Sequence, residues 1–175
     1  SMHAVFVLLA AALLSVFVAG CSKKAETKPE QTETASNGKT ASYHIGIATG
    51  TVSQSEDDLR GAEKLIEMYG SAKTGGMIQH ITYPDDFMSQ QETTITQIAA
   101  LADDPMMKAI IVNQGIPGTA EAFKRVREKR PDILLFAGEP HEDPLVIQAS
   151  ADMAISNDFV SRGYTIIWAA KELGA

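Results

Sequence analysis

From Tyr43 onward, short apolar runs alternate with longer amphipathic ones, and no other feature of the sequence constrains its fold as strongly. Strands of a parallel sheet are buried on both faces and read as brief apolar runs, while the helices that cross between them need one apolar stripe. The alternation therefore predicts βαβ units and a doubly wound parallel α/β sheet.

The elements follow in order. "YHIGIATG" (43–50) reads as a strand ending in a glycine turn. "SQSEDDLRGAEKLIEMYG" (53–70) reads as a helix with Leu59, Ala62, Ile66 and Tyr69 on one stripe. Ser53 with Glu56, or Ser55 with Asp58, offers its capping box, and Gly70 its stop. "MIQHITYP" (77–84) is the second strand, and Ser89-x-x-Glu92 opens a helix with Ile95, Ile98, Ala99 and Ala102 inward. "KAIIVNQG" (108–115) is the third strand, followed by a helix from Thr119 to Lys129 that Pro131 breaks, and "ILLFAGE" (133–139) is the fourth. "LVIQAS" and "DMAIS" are expected as a short fifth strand and a further strand or edge segment. A last helix over 158–173 carries Tyr164, Ile167, Trp168 and Leu173 on its apolar side, with Gly174 as C-cap. A doubly wound sheet rarely ends on an uncovered crossover helix, so the expectation is a fragment of a longer domain.

The first forty residues differ from the rest. Ala4 to Val18 is an apolar run of about 15 residues, shorter than the roughly 20 of a spanning helix but right for the core of a secretory signal. Only His3 and the terminal amine precede it, so a basic segment is expected upstream. Val18-Ala19-Gly20-Cys21 contains the one cysteine of the chain and resembles the lipobox of bacterial lipoproteins, in which the cysteine takes a diacylglycerol. Ser22 to Ser42 mixes Lys and Glu with Thr, Ser and Pro and has no large apolar side chain, so it cannot offset its ordering entropy. It reads as a flexible tether with a span of about 25 Å. The expected division is signal peptide at 1–20, lipidated Cys21 and disordered tether at 21–42, and an α/β lobe at 43–175.

A net charge of −7 and a pI near 5.0 argue against a nucleic-acid face. The one basic cluster, from Lys124 to Arg130, shares its helix with Glu121 and Glu128 and reads as a solvated face.

Ligands of doubly wound sheets bind at the carboxyl ends of the strands. After the first strand, Thr49-Gly50-Thr51-Val52-Ser53-Gln54-Ser55 is a hydroxyl-rich turn at a helix amino terminus, suited to an anion or polar group, or equally to turn-making and capping alone. Tyr83-Pro84-Asp85-Asp86, Asn113-Gln114-Gly115, Glu139-Pro140-His141-Glu142 and Asn157-Asp158 follow the other strands. The chain lacks the glycine patterns of phosphate and dinucleotide loops and the elbow of a serine hydrolase, and its cysteine is committed to the anchor. Glu139, His141, Glu142 and Asp143 read as a solvated acidic loop, because no second His, Cys or fixed helical spacing supports a metal. Neither catalyst, metal nor cofactor is expected.

This order of elements resembles the amino-terminal lobe of type 1 periplasmic binding proteins, with "AISNDFVSRGYTIIWAAKELGA" similar to the passage before the second lobe. More closely, "KAIIVNQGIPGTAEAF" and "DILLFAGEPHEDP" resemble a family of bacterial lipoproteins with a domain of unknown function, whose members are about twice this long. The resemblance implies capture of a small-molecule ligand between two lobes, a membrane partner through the lipid anchor, and an ABC-type permease nearby. Its strand-end contacts carry over to Thr49, Thr51, Ser53, Gln114, Glu139, Asn157 and Asp158. Three rivals stand beside this reading. They are a flavodoxin-like FMN-binding domain, a cytoplasmic regulator sharing the lobe, and a structural or adhesive lipoprotein without a ligand.

Overall fold

The computed structural model describes residues 40–174. Cys21, the apolar run and the tether up to residue 39 lie outside the described residues.

Five parallel strands form the sheet: β1 (His44–Thr49), β2 (Ile78–Thr82), β3 (Met107–Val112), β4 (Leu134–Gly138) and β5 (Met153–Ile155). Their order is β2-β1-β3-β4-β5. Helices α1 (Val52–Tyr69), α2 (Gln91–Ala100), α3 (Thr119–Lys129), α4 (Pro144–Ser150) and α5 (Phe159–Glu172) alternate with them. The expected α/β class and parallel sheet are therefore present.

Period-2 alternation divides the core. Ala48, Ile110, Val112, Leu135 and Ala137 face the main cluster, which Ile95 and Ile98 of α2, Phe123 and Val126 of α3 and Ile147 of α4 complete. Phe123 is fully buried and contributes about 2–3 kcal/mol to stability by burial alone. On the other face, Ile47 and Ile78 pack with Ala62 of α1 in a smaller cluster, with Ile66 beside it.

Several local expectations need correction. "LVIQAS" is not a strand but α4: Pro144 sits at its first turn, and the Asp143 carboxylate accepts from the Leu145 amide, so the chain is capped into a helix. Neither proposed capping box forms in α1, whose N-cap is Thr51 without a side-chain cap. Ser55 instead leaves helical geometry (φ −160°, ψ 83°), and its hydroxyl donates to Asp57 and Asp58. Ser89 likewise bonds back to Asp86 rather than capping α2, and Glu92 pairs with Arg125. Tyr69 is exposed, and α5 buries none of its apolar side. Gly70 does end α1, with its N–H on the Ile66 carbonyl.

Lys124 and Lys129 are exposed as expected, but most of the basic residues are paired. Arg125 pairs with Glu92 and Glu121, Arg127 with Asp152 and Lys129 with Asp103, while Arg130 donates to the Asp104 and Met107 carbonyls at 3.1 and 3.2 Å. Arg127, Lys129 and Arg130 tie the end of α3 to the amino-terminal end of the sheet, while Arg125 ties α3 to α2.

Candidate functional site

Strand order reverses between β1 and β3, so the crevice of a doubly wound sheet lies at their carboxyl ends. The kinked first turn of α1 stands over this point and is held from both sides. From the β2 side, Asp85 accepts from the Thr51 hydroxyl, Thr51 and Ser53 share a hydrogen bond at 2.9 Å, and the Gln54 amide donates to the Asp85 carbonyl at 2.6 Å. From the β3 side, the Gln114 amide donates to the Ser55 hydroxyl at 3.1 Å, and the Asn113 amide donates to Asp58. Ser55 closes the second group by donating to Asp58 at 2.5 Å.

Hydroxyl bonds from Thr51 and Ser53 outweigh the slight burial of Asp85 and hold its carboxyl below the usual range, so it is anionic at neutral pH. An anion at the α1 amino terminus would meet this like charge, which is bonded to the hydroxyl of the N-cap residue Thr51. Three other helix starts are answered directly at their backbone amides: Glu142 accepts from the Gly118 and Ala120 amides at the start of α3 at 2.9 Å each, Asp143 caps α4, and Asp158 caps α5 through Val160 and Ser161. The loop after β4 thus holds two fixed helix caps in place of the solvated acidic run expected.

Of the predicted contacts, Thr51, Ser53 and Gln114 come together around α1. Glu139 and Asn157 form a second pair, with the Asn157 amide donating to Glu139 at 3.1 Å. Glu139 has a positive φ of 40° and places its other carboxylate oxygen in a buried position without a partner. Asp158 is engaged as a cap. Thr49 is 1% exposed and donates to the Gly50 carbonyl at 2.9 Å, so its 2.9 Å contact with His80 has the imidazole Nε2–H as donor. Burial pushes the His80 imidazole below its usual range. Neither partner is arranged as a nucleophile with its base.

Asp58 escapes sequence reading as part of the site, and Tyr83 is legible only as a strand-end residue. Asp58 looks like half of a capping box. Tyr83 is 1% exposed, and its hydroxyl sits 3.2 Å from where a Gly50 Cβ would be, without a hydrogen-bond partner. Burial, with the Asp58 charge adding to it, pushes the phenol up to about 12. Its signal was positional only, the first residue beyond β2.

The strand ends are drawn together by backbone. The Gly115 amide donates to the Gly138 carbonyl at 2.7 Å and the His141 amide to the Gly115 carbonyl at 2.8 Å. A groove of about 560 Å³ lies elsewhere, between α3 and α4, lined by Lys124, Arg127, Val146 and Ser150 among others. Arg127 and Glu142 on its walls are already committed to Asp152 and the α3 cap, so the switch point is the better candidate.

The chain is 51% identical over 135 residues to an uncharacterized protein of Treponema pallidum (strain Nichols), covering 76% of this chain and 61% of that one. A second uncharacterized protein of the same organism is 49% identical over 76 residues, covering 43% and 35%. The chain thus spans less than two thirds of the length of these relatives. A crystal structure from Clostridium difficile 630, described provisionally as a transcriptional regulator, matches with a TM-score of 0.65 and 25% identity over 78% of this chain and 40% of that one. Residues 43–175 match the family model described as protein of unknown function (DUF3798), and the chain belongs to that family.

Proposed function

We propose that this protein is a lipid-anchored, extracytoplasmic solute-binding protein that captures a small polar ligand at the carboxyl ends of its strands, for uptake or sensing, and catalyses no reaction. One observation carries the binding half of this reading. Among the described residues, the buried side-chain polar atoms left without a partner are the Tyr83 hydroxyl and Glu139 Oε2, and both belong to loops that follow strand carboxyl ends. Such atoms cost about 1–3 kcal/mol each unless something satisfies them, and a bound solute would. The anchor and the export rest on Cys21 and its apolar run.

An FMN-binding alternative is less well supported, because the Asp85 carboxylate, bonded to the N-cap hydroxyl of Thr51, would repel a flavin phosphate docking at that helix start. The apolar run and polar tether before Tyr43 favour an exported protein over a cytoplasmic regulator.

Thermal-shift titration of the natural full-length protein with sugars, nucleosides, amino acids and peptides tests binding. A concentration-dependent rise in Tm is expected from mass action. A folded protein that responds to none of them would refute the receptor reading and favour a structural lipoprotein. Fatty-acid labelling that persists in Cys21→Ala would refute the anchor.

A further inference from the structure

Charge is distributed unevenly between the two ends of the sheet. At the amino ends, acidic residues in the connections have basic partners: Asp103 with Lys129, Asp104 with His44, Asp132 with Arg130 and Lys108, Asp152 with Arg127, all within 3.0 Å. At the carboxyl ends, the loops 50–51, 83–90, 113–118, 139–143 and 156–158 contain no Lys or Arg. Among the described residues, no carboxylate of those loops has an ion-pair partner, nor does Asp58.

Three of these carboxylates, on Glu142, Asp143 and Asp158, are answered by helix amino termini. Asp58 and Asp85 are not. Their partners are neutral hydroxyls and amides, so both charges remain uncompensated beside the switch point. The Tyr83 hydroxyl lies against Gly50 and feels the Asp58 charge, buried and unpartnered, with its oxygen free to accept.

Resting on the solute-binding reading, we propose that the ligand is an organic cation, held through a protonated amine or guanidinium by Asp58 and Asp85, with Tyr83 and the Asn113 and Gln114 side chains as neutral contacts. Among the described residues, no three His, Cys, Asp or Glu side chains converge to hold a metal ion. A cation with several N–H groups suits carboxylate, phenol and amide oxygens, all of which accept. An anionic ligand would meet two like charges and no counter-charge.

The test is calorimetric titration of the full-length protein with three sets of probes: spermidine and arginine, galactose and inosine, glutamate and inorganic phosphate. At least one cationic probe should bind saturably and more weakly as salt rises. Affinity should fall at least about tenfold in Asp58→Asn and in Asp85→Asn, by loss of a charged hydrogen bond, and stay unchanged in Asp132→Asn at the opposite end. Asp85 is exposed, so its variant answers the question even if Asp58→Asn does not fold. Binding of a neutral or anionic probe with cations excluded would overturn the cation assignment and leave the receptor reading standing. Cation binding undiminished in both Asn variants would overturn the assigned residues, and a folded protein that binds none of the probes would overturn both readings.

Discussion

Asn113, the first residue beyond β3, donates its side-chain amide to the Asp58 carboxylate in the first turns of α1, joining the third strand to the first helix across the strand-order reversal. Asp58 in turn accepts from Ser55, so the kink in α1 and the end of β3 are fixed by one carboxylate. Asn113→Ala removes one of its two side-chain donors. A loss of about 1–2 kcal/mol in urea unfolding is expected, at unchanged m-value. An unchanged midpoint would show that the α1 turn is positioned by something else.

How far this site was legible in the sequence depends on which interactions set each part. The alternation of runs after Tyr43 gave the strand and helix sequence, because burial on both sheet faces writes itself into local composition. "LVIQAS" misled for the same reason: seven residues of α4 bury only Ile147, so the run has no helical stripe, and the Asp143 cap and Pro144 decide the outcome. Thr51, Ser53 and Gln114 could be placed by their position after strands. The partnership of Asp58 with Asn113, 55 residues apart, could not, since a hydrogen bond between distant loops leaves no periodic trace. Asp58 and Glu92 both matched a capping motif and were diverted by partners from other elements, Asn113 and Arg125.

Tyr83→Phe separates stability from binding. The hydroxyl is buried and has no partner, so deleting it removes a desolvation cost without breaking a hydrogen bond. The variant should be more stable by about 1 kcal/mol and should bind the solute more weakly. Thermal melts with and without ligand measure both. A destabilised Tyr83→Phe protein would mean that the hydroxyl has a partner in solution.

Acid sensitivity should arise at the amino ends of the strands. Burial alone would raise the Asp104 carboxyl, but His44, the Met106 amide and Arg130 outweigh it and hold it below its ordinary range. Asp152 is depressed in the same way, with Arg127 and the Leu135 amide outweighing burial. A carboxyl depressed in the folded state contributes stability above its unfolded pKa of about 4, and that contribution is lost as pH falls through the folded value. Stability should therefore decline below about pH 4, and less steeply in Asp152→Asn than in the parent. An equal loss of unfolding free energy between pH 6 and pH 3 in the parent and in Asp152→Asn, measured by denaturant titration, would contradict this assignment.

Gly138 tests how closely β3 and β4 approach at the site. A Cβ there would lie 2.4 Å from the Asn113 carbonyl oxygen, a backbone atom that cannot rotate away. Gly138→Ala must push the strand ends apart and strain the neighbouring Gly115 to Gly138 hydrogen bond. Overpacking of this kind costs about 1–3 kcal/mol. Solute affinity should fall with it, because Glu139 follows directly. Parent-like melting and affinity in Gly138→Ala would show that the loops yield freely.

Two adjacent residues of β4 and its approach show how one face of the sheet differs from the other. Ile133 is fully buried under α3, whereas Leu134 is 51% exposed, and Ile155 of β5 is open as well. Tyr164, Ile167 and Trp168 of α5 are also exposed, Trp168 at 54%. A large exposed apolar area marks a surface suited to contact with another element or partner. For the chain of 175 residues, the sole tryptophan should emit as a water-exposed indole and be readily quenched by iodide. Leu134→Lys should change stability by no more than about 0.5 kcal/mol, whereas Ile133→Lys, which buries an unpaired charge, should prevent folding. A blue-shifted, unquenched Trp168 together with a costly Leu134→Lys would instead mean that this face is covered within the chain itself.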